Sequence, residues 1–394
     1  MTDFASITTP DDVLGLAQEN TGLTEIDSDT WRPGLAILLE ELTNSPVVTP
    51  SGREQQIKNW SKALGTRLKV HDYLTKHPEV LDEQIDRPIV VLGMPRTGTT
   101  VISYLLDQDP QRRSLLKWEA EHPVPPPTTE TRRTDPRCLS MLEEERKIVA
   151  FFKDAGMPLP HWEDADGPTE DMFLHTPDFK ALAWDSWSAT SRYANWLLDE
   201  ADMTSTYEYQ KRVMQILQST APGTWSMKMP SHSVHIDTLL TVFPDARLVW
   251  AHRDPYKATG SLCNLWMMPQ GMAMAKDDID REELGRNAMK QMTAHVNNPL
   301  RARERIGDGR FFHMYYADMM RDPMEVMRKL YAWAGDELSL DVESRMLTWL
   351  DQHPQNLFAA NKYTLDEYGL SVEQLEPIFA EYLTTFDIEP EGRS

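Results

Sequence analysis

The sequence predicts an α/β fold in which a mainly parallel central sheet is flanked by helices. Three observations carry this. Short β-branched runs, Pro88-Ile-Val-Val-Leu92 and Arg247–His252, are bounded by prolines, glycines and turn residues, as buried parallel strands are. Longer segments between them place apolar residues at three- and four-residue steps. Strands alternating with helices in this way imply a parallel sheet with its ligand crevice at the strands' carboxyl ends.

Residues 1–87 read as a helical N-terminal segment packed on the core. Ala36, Ile37, Leu38 and Leu42, then Ile57, Trp60, Leu64, Leu68 and Leu74, mark its apolar face. The first strand at 88–92 leads into a helix spanning Val101 to Leu106. The stretch Pro123 to Pro136 contains five prolines and reads as a surface loop. Residues 139–155 and 169–220 read as mostly helical. A second strand is predicted at Thr224–Met229, stopped by Pro230, with Ser231 capping a helix through Phe243. The third strand is Arg247–His252. The fourth is Phe311–Tyr316, and Pro323 sits near the start of the next helix. The tail 364–386 carries Leu365, Leu370, Leu375, Phe379, Tyr382 and Phe386 and reads as a docked helix. Residues 88–394 are thus expected to form one compact α/β domain.

Charge and composition exclude several classes of function. The 394 residues include 40 basic and 62 acidic side chains, a formal net charge of −22. That argues against a nucleic-acid binder, and any anionic ligand must meet a local basic pocket within a repelling field. Cys138 and Cys263 are too few for a disulfide framework or a cysteine-rich metal site. The N-terminus has no basic and apolar leader, and the most apolar run, Ile89 to Leu92, is far short of the ~20 residues of a membrane span. A soluble, cytoplasmic protein without a membrane span is the expectation.

Two segments carry chemistry. Gly93-Met-Pro-Arg-Thr-Gly98-Thr99-Thr100 has the glycine spacing of a phosphate loop between a strand and a helix. Backbone N–H groups and a helix N-terminus converge on anionic oxygens in such a loop. The customary lysine after the second glycine is replaced by Thr99, and a cation appears earlier as Arg96, which can grip an anion bidentately. Without the lysine, the loop suits a donor with one phosphoryl-like group beside the leaving nucleotide, handled without a metal. The second segment runs from Arg247 to Ser261. Arg253 closes a strand, and Ser261 lies eight residues on, in a following helix. The two can share one phosphate; alternatively Arg253 pairs with Asp254 or another surface acid, and Ser261 caps a helix or faces solvent.

Together these segments resemble the 3′-phosphoadenosine 5′-phosphosulfate (PAPS)-dependent sulfotransferases, in the bacterial branch with an arginine-bearing 5′-phosphosulfate loop. Arg253 and Ser261 match that family's 3′-phosphate pair. "WEAEHPVPPP" (118–127), "WSMKMPSH" (225–232), "FPDARLVWAHRDP" (243–255), "YYADMMRDP" (315–323) and "NKYTLDEYGL" (361–370) resemble its further motifs. Met229 and Asp318-Met319 depart from the common pattern without removing a reacting group. The resemblance implies a P-loop-like three-layer fold. It also implies transfer of a sulfuryl group from PAPS to a hydroxyl or amine, with adenosine 3′,5′-bisphosphate as product and no metal.

The resemblance assigns Arg96, Thr97, Gly98, Thr99 and Thr100 to the 5′-phosphosulfate and Arg253 and Ser261 to the 3′-phosphate. Tyr316 stands near the nucleotide or is a core tyrosine with its hydroxyl at the rim, and Lys362 closes over the 3′-phosphate or is simply solvated. Glu119 is the expected base, where arginine-loop relatives carry a catalytic carboxylate; Glu121, His122 and His232 are its rivals. Lys228, at the end of the second strand, would neutralise the leaving oxygen or snorkel to solvent. His232 orients Lys228, caps its helix or takes part in the chemistry. Glu170 and His175 line the acceptor side or start a helix. Two clusters, Trp184, Trp187, Tyr193 and Trp196, and Trp266, Met267, Met268, Met272 and Met274, suggest a small apolar or aromatic alcohol, phenol, sterol or lipid-like acceptor, or are plain core. A homodimer is compatible with all of this. A P-loop small-molecule kinase and a catalytically silent nucleotide-binding protein are the competing readings.

Overall fold

Five strands form the sheet: β1 (Ile89–Gly93), β2 (Arg112–Ser114), β3 (Thr224–Lys228), β4 (Arg247–His252) and β5 (Phe311–Tyr315). Their order is β2-β3-β1-β4-β5, and every neighbouring pair is parallel. The computed structural model describes residues 3–154, 163–187, 190–353, 363–389 and 391.

The central strand shows why the fold has three layers. All of β1 is buried, and its side chains alternate between two cores. Ile89 and Val91 face the core built with Ile102, Leu105, Leu330 and Met346, from helices Thr99–Leu106, Pro323–Ala334 and Leu340–Gln352. Val90 and Leu92 face the larger core, which contains Trp31, Leu64, Val213, Val296 and Phe379. The N-terminal helices Pro10–Thr21, Arg32–Asn44 and Pro50–Lys76 contribute to that larger core. Buried Arg67 on the third of them pairs with Asp27 at 2.6 Å and Asp178 at 2.7 Å, tying the segment to the 170s. Among the described residues, no helix is long and apolar enough to cross a membrane.

The chain leaves β1 towards β2 and β3 on one side, then crosses to β4 and β5 on the other. Such a switch point opens a crevice at the strands' carboxyl ends. Register brings Gly93 opposite Ala251 and Val91 opposite Lys228, so the ends of β1, β3 and β4 meet there.

The structure departs from the sequence expectation at three places. β2 was not anticipated, because Arg-Arg-Ser has no apolar alternation; it pairs with β3 and is buried through ion pairs instead. The stretch 169–220 divides into helices Met172–His175, Leu182–Asp185, Arg192–Asp199 and Thr204–Gln218. Pro177 and the left-handed Phe179 (φ 53°) interrupt it. Ser231 caps no helix: it lies within a 3₁₀ turn, Pro230–Ser233, and the helix Ile236–Val242 begins without a side-chain cap.

Candidate active site

The turn after β1 is shaped by backbone demands that its residues meet. Gly93 has φ 135°, and a Cβ there would lie 2.5 Å from the Ala251 carbonyl oxygen. Gly98, at φ 83°, is the N-cap of the helix Thr99–Leu106. The Thr97 hydroxyl donates to the Met94 carbonyl at 2.7 Å and braces the turn from inside. Arg96 takes a left-handed conformation at φ 69°, which a non-glycine residue adopts only under constraint. Its guanidinium supplies that constraint by donating from Nε to Ser261 Oγ at 3.0 Å.

The two sequence signals meet here. Arg253, just past β4, donates from Nη1 to the Arg96 carbonyl at 2.7 Å. Its guanidinium carbon lies 3.9 Å from the centre of the Tyr316 ring, a cation–π stack that fixes its plane. Arg96, Arg253, Ser261 and Tyr316 therefore converge from the β1 turn, the end of β4, the helix Pro255–Ala273 and the end of β5. Burial pushes the Arg96 guanidinium below its ordinary pKa, and Arg253 adds to the effect. Two adjacent, partly desolvated guanidiniums are of the residue type that grips an anion bidentately. The remaining edge of Arg253 is held by Glu391, with Nε to Oε1 at 2.7 Å and Nη2 to Oε2 at 2.8 Å. Tyr363 packs against Gly260 of the same helix, where an added Cβ would lie 2.8 Å from its ring. Lys362, its neighbour, lies outside the described residues.

At the end of β3, Lys228 is 2% exposed and its ammonium lies between two carboxylates. Nζ donates to Glu163 at 2.9 Å and to Glu170 at 3.2 Å. Burial works against its charge, but Glu163 and Glu170 outweigh it and hold the amine above its ordinary pKa. Glu170 also lies close enough to Arg96 to raise the basicity of that guanidinium. His232 is fully buried between the Tyr207 hydroxyl (3.0 Å from Nδ1) and Asp171 (3.1 Å from Nε2). Asp171 in turn donates its N–H to the Lys228 carbonyl at 3.0 Å, so His232 braces the β3 end through Asp171. Burial lowers the His232 pKa to about 3, leaving a neutral ring. His175 is likewise buried, 2.7 Å from Gln210.

The family model described as the sulfotransferase family matches residues 88–339. This chain belongs to the sulfotransferase family. The sulfotransferase is similar to the crystal structure of sulfotransferase STF9 from Mycobacterium avium, at 66% identity over 100% of both chains and a TM-score of 0.95. It is also similar to sulfotransferase STF1 from Mycobacterium tuberculosis H37Rv, at 27% identity over 95% of this chain and 99% of that one, with a TM-score of 0.84. A curated relative, the omega-hydroxy-beta-dihydromenaquinone-9 sulfotransferase Stf3 of Mycobacterium bovis, is 25% identical over 312 residues, 73% of this chain and 71% of that protein.

Glu119 has a different setting in the sulfotransferase from the one expected of a base. It is 0% exposed. Its carboxylate accepts from Arg113 at 2.8 and 2.9 Å, from Arg132 at 3.2 Å and from the Leu116 N–H at 3.0 Å. Burial opposes its charge, but the two arginines outweigh it and hold the carboxyl below its ordinary pKa. Such a group is saturated with donors and has no open side for an acceptor proton. Glu121 pairs with Lys62 at the surface, and burial lowers the His122 pKa. Sequence reasoning passed over Glu163 altogether. The signal that could have found it is the density of acids in the stretch 163–171 ahead of Lys228.

The apolar clusters are largely core. Trp184 stacks on Phe179, with ring centres 5.7 Å apart, and Tyr193 and Trp266 are buried. Met268 and Met272, on the outer turns of the helix Pro255–Ala273, are exposed. A separate cleft of about 360 Å³ between the N-terminal and 280s helices is walled by Glu40, Glu41, Asp280 and Glu283, with Met274 of the second apolar cluster also in its lining.

Proposed function

We propose that this sulfotransferase moves the sulfuryl group of PAPS to a hydroxyl of a small, lipid-like acceptor, with Glu170 as the base. The observation that carries the reading is the convergence of Arg96, Arg253 and Ser261 over Tyr316, beside the Lys228–Glu170 pair. Arg96 and the first turn of the helix Thr99–Leu106 take the 5′-phosphosulfate, and Arg253 with Ser261 takes the 3′-phosphate.

The transfer is an in-line displacement. The acceptor O–H gives its proton to Glu170, and its oxygen bonds to sulfur as the bond from sulfur to the bridging phosphate oxygen breaks. Lys228 and Arg96 neutralise the charge that collects on the departing phosphate. The products are a sulfate ester and adenosine 3′,5′-bisphosphate. Of the two carboxylates on Lys228, Glu170 is the more open, with a side chain 21% exposed against 7% for Glu163. A lipid-like acceptor is supported by the substrate named in Stf3 and by the net charge of −22, which repels polyanionic acceptors.

Calorimetric titration with adenosine 3′,5′-bisphosphate in the presence of a chelator tests the nucleotide half. Binding without magnesium is expected; binding only of magnesium–ATP would make the protein a kinase. Transfer from PAPS to a panel of phenols, sterols and ω-hydroxylated isoprenoids tests the rest. Turnover on none of them, with the bisphosphate bound, would leave a silent binding protein.

A further inference from the structure

We propose that Glu163 is the positioning residue of Lys228, keeping that ammonium in the crevice so that Glu170 can leave it and serve as the base. The inference rests on the assignment of Glu170 above. It comes from the arithmetic of charge in a buried trio. One ammonium faces two carboxylates, and the set carries one negative charge in excess. With Glu170 alone, each proton taken by the base would strip a buried ammonium of its only counter-charge, a costly state. With Glu163 also present, Lys228 stays paired while Glu170 gains or loses its proton.

The geometry divides the two acids accordingly. Glu163 has both oxygens engaged: Oε1 accepts from Lys228 at 2.9 Å and Oε2 from the Thr169 hydroxyl at 2.6 Å. Its backbone carbonyl accepts from Lys117 Nζ at 2.8 Å, and Lys117 is tied to Glu145 at 2.7 Å. It is a fixed group, 7% exposed. Glu170 holds Lys228 through the longer contact, 3.2 Å, and is the more open of the two. Among the described residues, the other charged or titratable groups named around the trio are Tyr104, within electrostatic reach of Glu163; Arg96, within reach of Glu170; Lys117 with Glu145; and Asp171 with His232. Of these groups only Glu163 and Glu170 accept from the Lys228 ammonium.

The test is the pH dependence of kcat in Glu163→Gln, with Glu163→Asp as rescue and Thr169→Val as a milder variant that frees Glu163 Oε2. Losing a carboxylate removes one of the two charges that hold the Lys228 amine above its ordinary pKa. The alkaline limb of the profile should therefore move to lower pH by about one to three units in E163Q. The affinity for adenosine 3′,5′-bisphosphate should stay within twofold. The shift should be smaller in T169V and largely reversed in E163D. A uniform loss of rate with both limbs in place, or a fall in rate that only tracks a lower Tm, overturns the proposal. Glu170→Gln separates this failure from that of the base assignment. If E170Q turns over normally, the base is elsewhere; if E170Q is inactive while E163Q keeps the intact profile, only the role given to Glu163 falls.

Discussion

Replacing Glu119 by Gln should damage stability and spare chemistry. The carboxylate is enclosed by Arg113, itself 1% exposed, and by Arg132, at 2.8–3.2 Å, and it also caps the short helix Lys117–Glu121 through the Leu116 N–H. Glutamine keeps the shape but removes the charge and turns one acceptor into a donor facing guanidinium N–H groups. Breaking one partner of a buried ion pair costs roughly 3–5 kcal/mol, because the surviving charge is left uncompensated. Arg113 cannot escape: it lies under the Trp225 ring, 4.9 Å from its centre, and donates to the Ser114 carbonyl at 2.7 Å. Urea unfolding should therefore give a midpoint well below that of the intact protein. Transfer from PAPS per folded molecule, measured at saturating nucleotide, should stay within about threefold. A general base contributes typically 10²–10⁴ to the rate, so the two outcomes do not overlap. An E119Q protein with an unchanged midpoint and a rate at least a hundredfold lower would refute the assignment and return the base to Glu119.

Three further outcomes follow from the same geometry. Arg253→Ala should weaken adenosine 3′,5′-bisphosphate by about ten- to a hundredfold, the worth of a hydrogen bond to a charged group. kcat at saturation should change little, since the contact exists in ground and transition states alike; a fall confined to kcat would contradict this. Glu391→Ala should tighten the bisphosphate by roughly two- to fivefold, because a half-exposed ion pair of modest strength must open before a phosphate reaches the same edge of Arg253. In an R253A background the effect should vanish, and its persistence there would disprove the competition. Finally, the protein should be acid-labile. Burial holds the imidazoles of His175 and His295 at a pKa of about 4, His232 at about 3 and His252 well below its ordinary value. Each is neutral in the fold but takes a proton below about 6.5 once unfolded, so stability is present above that pH and is lost as pH falls. Burial pushes the carboxyls of Asp171 and Asp185 up and works the other way, but the buried imidazoles, His235 at about 3 among them, outnumber these two acids and leave a net uptake of protons on unfolding. A Tm that holds or rises between about pH 6.5 and 4.5 would show the balance to be wrong.

Much of the crevice was legible because its chemistry is local in sequence. A strand, two glycines and an arginine lie within about ten residues, so the shape of the turn could be read from neighbours in sequence. Arg253 and Ser261 were legible for a similar reason: a strand end and the next helix put them on one side of the crevice. The setting of Glu119 was not legible, because it depends on neighbours in space. Arg113 and Arg132 lie 6 and 13 residues away in sequence, on the short edge strand and in a proline-rich stretch that sequence periodicity does not resolve. The aromatic cluster at 184–196 left two readings open for the opposite reason, since apolar composition is the same in a pocket wall as in a core.

By itself, then, the order of residues determined the alternation of strands and helices, the glycine-bounded turn after β1 and the reaction class these imply, because each is a matter of neighbours within a few residues. Only the tertiary structure decided which acids belong to the crevice. A carboxylate's task depends on which cations it meets and how far water is excluded, and those are set by chain crossings between β1, β3 and the 163–171 segment that no local pattern encodes.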